Sequence, residues 1–362
     1  MSRHRPRRLP YLIAAVAVAC SALATAVAFA RDSGSPDTTA TSPTALANHF
    51  LDTYVRASGE VVRTDQGGDV VSEGEAYALL LADDTGRNDI ARSVWQWTSA
   101  HLQRPDGLVS WHADGTGHVL DPQSASDADV LLAYGLLNYK GPDRTTLTTA
   151  GTRLAGAVLA HETTTVGGVV TLVAGPWATG SATVDPSYWM PSVFRALATA
   201  THDSRWQALA DGSVRLLDQL TQHGSTLPPD WAHVVAGKLT AMGAPGTSDQ
   251  PRYSLDAARV PVWLAIDCSS SGGPGLAAKW WSRLRTDPAA LARSLDGAVV
   301  DGTQVPLPQV AAAAAAHAAG NDAATRTNLA AADKLAAANP TYYGDAWAAL
   351  GAELLTAPAP TC

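Results

Sequence analysis

The chain predicts an all-α fold, on three observations. Apolar residues recur at helical spacing through most of the sequence after Thr44. Clusters of Pro and Gly separate about a dozen such segments. No long alternating run suggests a sheet, apart from one short ribbon near 165–174. With 362 residues, 46% of them hydrophobic and only 16% charged, the chain can bury a substantial core.

The order of elements begins with an N-terminal leader. Arg3, Arg5, Arg7 and Arg8 precede an uncharged run from Leu9 to Ala30 that ends Ala28-Phe29-Ala30. That pattern fits a signal peptide cleaved after a small-x-small site, and the run is also long enough for a membrane anchor. Residues 1–30 are therefore expected to be a signal peptide or N-terminal membrane anchor. Either places the remainder outside the cytoplasm, secreted or held on the outer face of the membrane. Residues 31–43 read as a flexible linker, and 44–362 as one catalytic domain.

Within that domain, Ala45–Tyr54 opens with an amphipathic helix, and the polar stretch Gly59–Gly68 suits a strand or turn. Glu73–Ala82 carries Ala76, Leu79 and Leu80 at helical spacing. Asp89–His101 places Ile90, Val94, Trp97 and Thr98 on one face. Ala128–Asn138 does the same with Val130, Leu131, Tyr134 and Leu137. Further helices are predicted over 146–161, 190–200, 203–222, 228–242, 257–266, 275–284, 287–294, 308–319, 322–338 and 344–355. The alanine tracts at 311–316 and 329–338 suit close helix packing.

The formal charge is −8, and the leader holds basic residues without acidic ones, so the rest is more acidic still. That argues against nucleic acid as a partner. A neutral or cationic polymer fits better. There are 11 Trp and 9 Tyr against 3 Phe. Most suit the core, and some suit a groove, since their flat faces match the apolar face of a pyranose ring. Of the three cysteines, Cys268 and Cys362 allow one disulfide in an exported protein. No CxxC or metal-spaced His cluster is present, and no cofactor or metal is expected.

Three acidic stretches carry the chemistry. Ser72-Glu73-Gly74-Glu75 sets a carboxylate at a helix start beside small residues. Ser126-Asp127-Ala128-Asp129 repeats the arrangement. Asp256 and Arg259, spaced i and i+3, share a helical face next to Val260, Pro261 and Trp263. Helix capping by Ser72 and Ser126, and a surface ion pair, are the bland readings. The sharper reading is a sugar-cleaving cleft. There Glu73 is an acid with a raised pKa, Asp127 holds a sugar hydroxyl or the reacting ring, and Asp129 is a structural acceptor. Asp256, kept ionised by Arg259, is a base for water.

The resemblance that follows is carried by eight motifs in order. They are Ser72-Glu73-Gly74 with Tyr77, Trp95-x-Trp97-Thr98, Asp106-Gly107-Leu108 with Trp111, Ser124 to Asp129, Asp185-Pro186-Ser187-Tyr188-Trp189, Leu227-Pro228-Pro229-Asp230-Trp231, Asp256 to Pro261, and Tyr342-Tyr343-Gly344-Asp345. Together they cover about residues 45–356 and resemble glycoside hydrolase family 8, in its bacterial cellulose-synthesis-associated endoglucanase branch. The resemblance implies an (α/α)6 barrel and inverting hydrolysis of a β-1,4-glucan. It implies Glu73 as acid, Asp256 as base and Asp127 at the central sugar. Tyr188 would hold the attacking water, Arg259 would orient Asp256, and Trp111 and Trp177 would stack on sugar rings. The polysaccharide is the expected partner, for a monomeric enzyme. Alternatives are another polymer (xylan, mixed-linkage glucan, chitosan) or a non-hydrolytic glycan-binding protein that assists polysaccharide synthesis. Two departures stand out. Glu75 replaces an uncharged residue, with the expectation that it raises Glu73 or points outward, and Ala78 replaces Gly, adding a methyl near the cleft.

Overall fold

A computed structural model describes residues 41–268 and 272–357. The leader at 1–30, most of the linker and Cys362 lie outside the described residues. Cys268 is disulfide-bonded.

Twelve α-helices occur among the described residues. They are α1 (Pro43–Tyr54), α2 (Ser72–Asp84), α3 (Asn88–His101), α4 (Ser126–Asn138), α5 (Arg144–His161), α6 (Pro191–Thr201), α7 (Ser204–Leu220), α8 (Val260–Ala265), α9 (Gly273–Leu284), α10 (Pro306–Ala318), α11 (Asp322–Ala338) and α12 (Tyr342–Thr356). Even-numbered helices pack in a closed ring, α2 on α4, α6, α8, α10, α12 and back to α2. Odd-numbered helices lie outside it: α1 on α12, α3 on α2, α5 on α4, α7 on α6, α9 on α8 and α10, and α11 on α10. This is the expected (α/α)6 barrel.

Composition follows the layers. In α4 and α10 nearly every residue is buried, including the run Ala311–Ala316, so alanine lets α10 sit between α8, α9, α11 and α12. The outer α3 and α7 are amphipathic, and α11 buries only Thr325, Asn328, Ala332 and Ala336. None of the described helices is long and apolar enough to cross a membrane. Trp347 of α12 is fully buried, edge-on to Tyr77 of α2 at 5.7 Å and to Trp263 of α8 at 5.9 Å. That aromatic contact joins three inner helices along the barrel axis.

Two predicted helices are strands. Residues 228–242 form a hairpin, β7 (Trp231–Val235) on β8 (Lys238–Met242), closed by Ala236 and Gly237 with φ of +49° and +79°. A two-residue turn with both φ positive matches the twist of a hairpin, and it overrides the helical spacing of the apolar residues. Residues 287–294 contain β9 (Ala290–Arg293), paired with β10 (Val299–Gln304) and bridged to Tyr253. The ribbon near 165–174 is present as β5 (Thr163–Val166) on β6 (Val169–Leu172). The stretch Gly59–Gly68 holds a strand, β1 (Val62–Arg63), but the four-stranded sheet it belongs to was not foreseen: β1, β2 (Asp69–Val71), β3 (His112–Asp114) and β4 (Val119–Asp121). Its strands are two or three residues long, too short for an alternating pattern to register.

Candidate active site

The N-terminal ends of the inner helices converge at one end of the barrel. Glu73 lies in the first turn of α2, and Asp127 in the first turn of α4. Asp185 caps the short turn Pro186–Tyr188 before α6, and Asp256 precedes the turn Ala257–Arg259 that runs into α8. Helix N-termini favour negative charge, so this end of the barrel suits carboxylates. Neither serine caps its helix: α2 and α4 have no side-chain cap, and Ser126 Oγ instead donates to Val173 O at 2.6 Å.

Arg259 gathers the four acids. Its Nη1 lies 2.8 Å from Asp127 Oδ2 and 3.7 Å from Glu73 Oε2. Its Nη2 lies 3.2 Å from Asp256 Oδ1 and 3.5 Å from Asp185 Oδ2. The guanidinium also covers the Tyr188 ring, 5.3 Å from its centroid. The arginine side chain is 4% exposed, whereas Asp256 is 38% exposed. The predicted ion pair is therefore one contact of a buried hub.

The acids differ in environment. Burial is the largest influence on Glu73 and pushes its carboxyl up to about 7. Arg259 and Arg63 oppose the rise, while Asp127 and Asp256 reinforce it. Glu73 keeps 23% of its side chain open and accepts from Tyr77 Oη at 3.5 Å. Asp127 is raised chiefly by burial against the pull of Arg259, and accepts from Ala128 N at 2.9 Å. Asp185 has no exposed side-chain surface and is raised well above the usual range, by burial first and then by Asp256. Its Oδ1 accepts from Ser187 N and Oγ at 2.8 and 2.6 Å.

Gly74 explains its place beside Glu73: a Cβ there would stand 2.7 Å from Tyr342 Oη, so only glycine lets α12 approach. Glu75 contradicts both expectations. It is fully buried, accepting from Val61 N at 2.7 Å and Thr98 Oγ1 at 3.0 Å, and burial pushes it up to about 8. It thus points into the core, and, mostly uncharged at pH 7, it is not among the largest influences on Glu73. Ala78 is also wholly buried and puts no methyl on the cleft.

The aromatic residues flank these acids. Trp111 O accepts from Ser72 N at 2.9 Å, which ties it to the start of α2. Its half-buried ring stacks on His112 at 4.6 Å. Trp177 is half-buried beside Gly175, whose Cα lies so close to Ser124 O that a Cβ would meet it at 2.6 Å. It therefore neighbours the segment leading to Asp127. Tyr188 meets Trp231 edge-on at 6.4 Å. Asp129 is an acceptor as expected, from Val109 N at 2.9 Å. All seven predicted site residues thus lie at this end. Sequence reasoning gave no role to Asp185, Tyr77 or Arg63. Only the Asp-Pro-Ser turn signal could have flagged the first. A cavity of about 320 Å3 opens beside Asp256, with Trp231, Met242, Arg252 and Val300 in its walls. Another, of about 390 Å3, lies at the opposite end among Asp83, Tyr134 and Leu354, away from these acids.

Comparison with known proteins gives the same picture. The chain is 35% identical over 232 residues to a probable endoglucanase of Novacetimonas hansenii, covering 59% of this chain and 64% of that protein. It is 27% identical over 244 residues to an endoglucanase of Cellulomonas uda, covering 65% and 66%. It thus matches just under two thirds of the length of each. The structure of endo-beta-1,4-glucanase CMCax from Acetobacter xylinum superposes with a TM-score of 0.69 at 26% identity, over 87% of this chain and 98% of that one. A beta-1,3-1,4-glucanase from Paenibacillus sp. X4 shares the fold, with a TM-score of 0.75 at 20% identity over 86% and 90%. The sequence model of glycosyl hydrolases family 8 matches residues 16–355, and the chain belongs to that family.

Proposed function

We propose that this chain is an inverting endo-β-1,4-glucanase. The observation that carries the reading is the Arg259 hub, which holds Glu73 on one guanidinium nitrogen and Asp256 on the other. A shared guanidinium brings the two carboxyls to one cleft, and an inverting pair needs a gap between them wide enough for a water. Glu73, pushed up to about 7, is about half protonated at pH 7 and is open to the cleft. Its protonated form donates the proton to the glycosidic oxygen as the bond to the anomeric carbon breaks. Asp256 accepts a proton from the water whose oxygen attacks that carbon from the opposite face. Both groups then return to their starting states by exchange with solvent. Arg259 aims Asp256, Tyr188 helps hold the water, and Asp127 stands at the central sugar. Trp111 and Trp177 offer stacking faces for neighbouring rings.

The assay is release of reducing ends from carboxymethylcellulose by the wild type, Glu73→Gln and Asp256→Asn. Activity in the wild type and its loss in both variants is expected. An inactive wild type that still binds cello-oligosaccharides would instead favour a glycan-binding protein. Faster cleavage of xylan, mixed-linkage glucan or chitosan would move the substrate within the same chemistry. Export is part of this reading, supported by the basic start and uncharged run of residues 1–30. N-terminal sequencing beginning near Arg31 would mark a cleaved leader, and intact residues 1–30 in membranes an anchor. Soluble cytoplasmic protein with Met1 intact would contradict both.

A further inference from the structure

Asp230 lies between the Leu227-Pro228-Pro229 stretch and β7, and its side chain turns inward. Its Oδ1 accepts from two main-chain amides, Ser254 N at 2.7 Å and Ala257 N at 3.0 Å. Its Oδ2 accepts from Ser254 Oγ at 2.5 Å. The amide of Asp230 donates to Arg252 O at 2.8 Å, closing the bracket. These bonds fall on both sides of Asp256, at 254 and at 257. Asp256 itself is the most open of the four acids around Arg259, and among the described residues its carboxylate is hydrogen-bonded by the arginine alone, at 3.2 Å. Its direction therefore depends on the main chain that carries it.

We propose that Asp230 is a positioning residue for the base, fixing the 254–257 turn so that the Asp256 carboxylate faces the attacking water. The inference rests on the reading of Asp256 as the base. A neutral amide could not satisfy the turn in the same way, since an asparagine would keep its oxygen for the two amides and offer Ser254 a donor instead of an acceptor. The placement costs electrostatic energy. A second carboxylate is buried beside Asp256, and burial first, then that neighbour, pushes Asp230 up to about 6. The other groups facing it are Arg252, whose Nε lies 3.6 Å from Oδ2, and the buried Tyr253 phenol. Asp249 and Asp301 lie across the 320 Å3 cavity. Protonation of Asp230 removes an acceptor from the turn, so it contributes to the loss of activity on the acid side.

The test is steady-state kinetics on carboxymethylcellulose with Asp230→Ala, Asp230→Asn, Ser254→Ala and, as reference, Asp256→Asn. Melting curves should show which variants are folded. Asp230→Ala should lower kcat roughly 10- to 100-fold with KM within about twofold, because a displaced reacting group costs rate more than binding. Ser254→Ala, losing one bond of three, should fall less. Asp230→Asn, the neutral isostere of the protonated acid, should keep the two main-chain bonds yet stay below the wild-type kcat near neutral pH, and its profile should lack the acid-side fall that titration of Asp230 near 6 contributes. A merely structural role would leave that acid limb where it is. If Asp230→Ala does not fold, the limb of Asp230→Asn and the kcat of Ser254→Ala carry the decision. An Asp230→Asn profile that superimposes on the wild type, or a folded Asp230→Ala with wild-type kcat, overturns the inference while Asp256→Asn remains inactive. An active Asp256→Asn overturns the underlying assignment of the base, and this inference with it.

Discussion

Replacing Arg63 should move the alkaline limit of activity upward. Glu73 is pushed up to about 7, so about nine tenths of it is protonated at pH 6 and about one tenth at pH 8. A general acid is competent when protonated. The kcat/KM of the wild type should therefore fall about tenfold between those values, with a midpoint near 7. Arg63 sits on β1, paired to Asp69 through Nε at 2.8 Å and through Nη2 at 2.5 Å, and its charge holds Glu73 down. In Arg63→Met that charge is gone, and Asp69 is left with His112, at 2.8 Å, as its side-chain partner among the described residues. Both changes favour the protonated acid. The limb should shift up by roughly half a unit to one unit, the effect of one partly screened charge. The assay is kcat/KM on cellohexaose from pH 5 to 9, with a melting curve to confirm folding. A limb that stays in place or moves down would refute Glu73 as the titrating acid.

Other outcomes follow from the same geometry. Glu73→Gln should lose on the order of 10²–10⁴-fold in turnover on ordinary glucan, yet recover in part on a dinitrophenyl cellobioside, whose leaving group needs no proton. Asp256→Asn should instead be rescued by azide; the opposite pattern would reverse acid and base. Glu75→Gln tests the buried carboxyl behind the site. A folded value of about 8 against an ordinary 4.5 means that folding takes up a proton. Its stability contribution is complete below about 4.5 and lost as pH rises through 8, worth at most about 5 kcal/mol. The melting temperature of Glu75→Gln should therefore fall less than that of the wild type between pH 5 and 9, and equal slopes would contradict the assignment. Trp347→Ala should cost about 3–5 kcal/mol in urea unfolding, since its ring fills the contact between α2, α8 and α12; a loss under 1 kcal/mol would mean the space closes up.

The all-α class was legible because most of the helices are long and their apolar residues periodic, whereas the (α/α)6 barrel came from the resemblance to a family. The ring closure was not, because the contact of α12 with α2 joins segments far apart in sequence. The hairpin at 231–242 was missed for a local reason. Its Val, Leu, Ala and Met residues satisfy a helical spacing as well as a strand, and Ala236 at φ +49° is an unusual turn residue. In the site, Glu73, Asp127, Asp256 and Arg259 were read from motifs, yet Arg259 was assigned to Asp256 alone. Its shortest bond goes to Asp127, 132 residues away, which no spacing rule can see. Asp185 and Asp230 stayed silent because a buried aspartate bonded to nearby amides looks in sequence like any turn aspartate.

Reaction stereochemistry tests the central claim most directly. Proton NMR of a cello-oligosaccharide digest, recorded in the first minutes before mutarotation, should show the α-anomer of the new reducing end appearing first. That is the product of direct attack by water activated at Asp256. Initial β-anomer would mean a covalent intermediate and retention, and would contradict the assignment of Glu73 and Asp256 as an inverting pair.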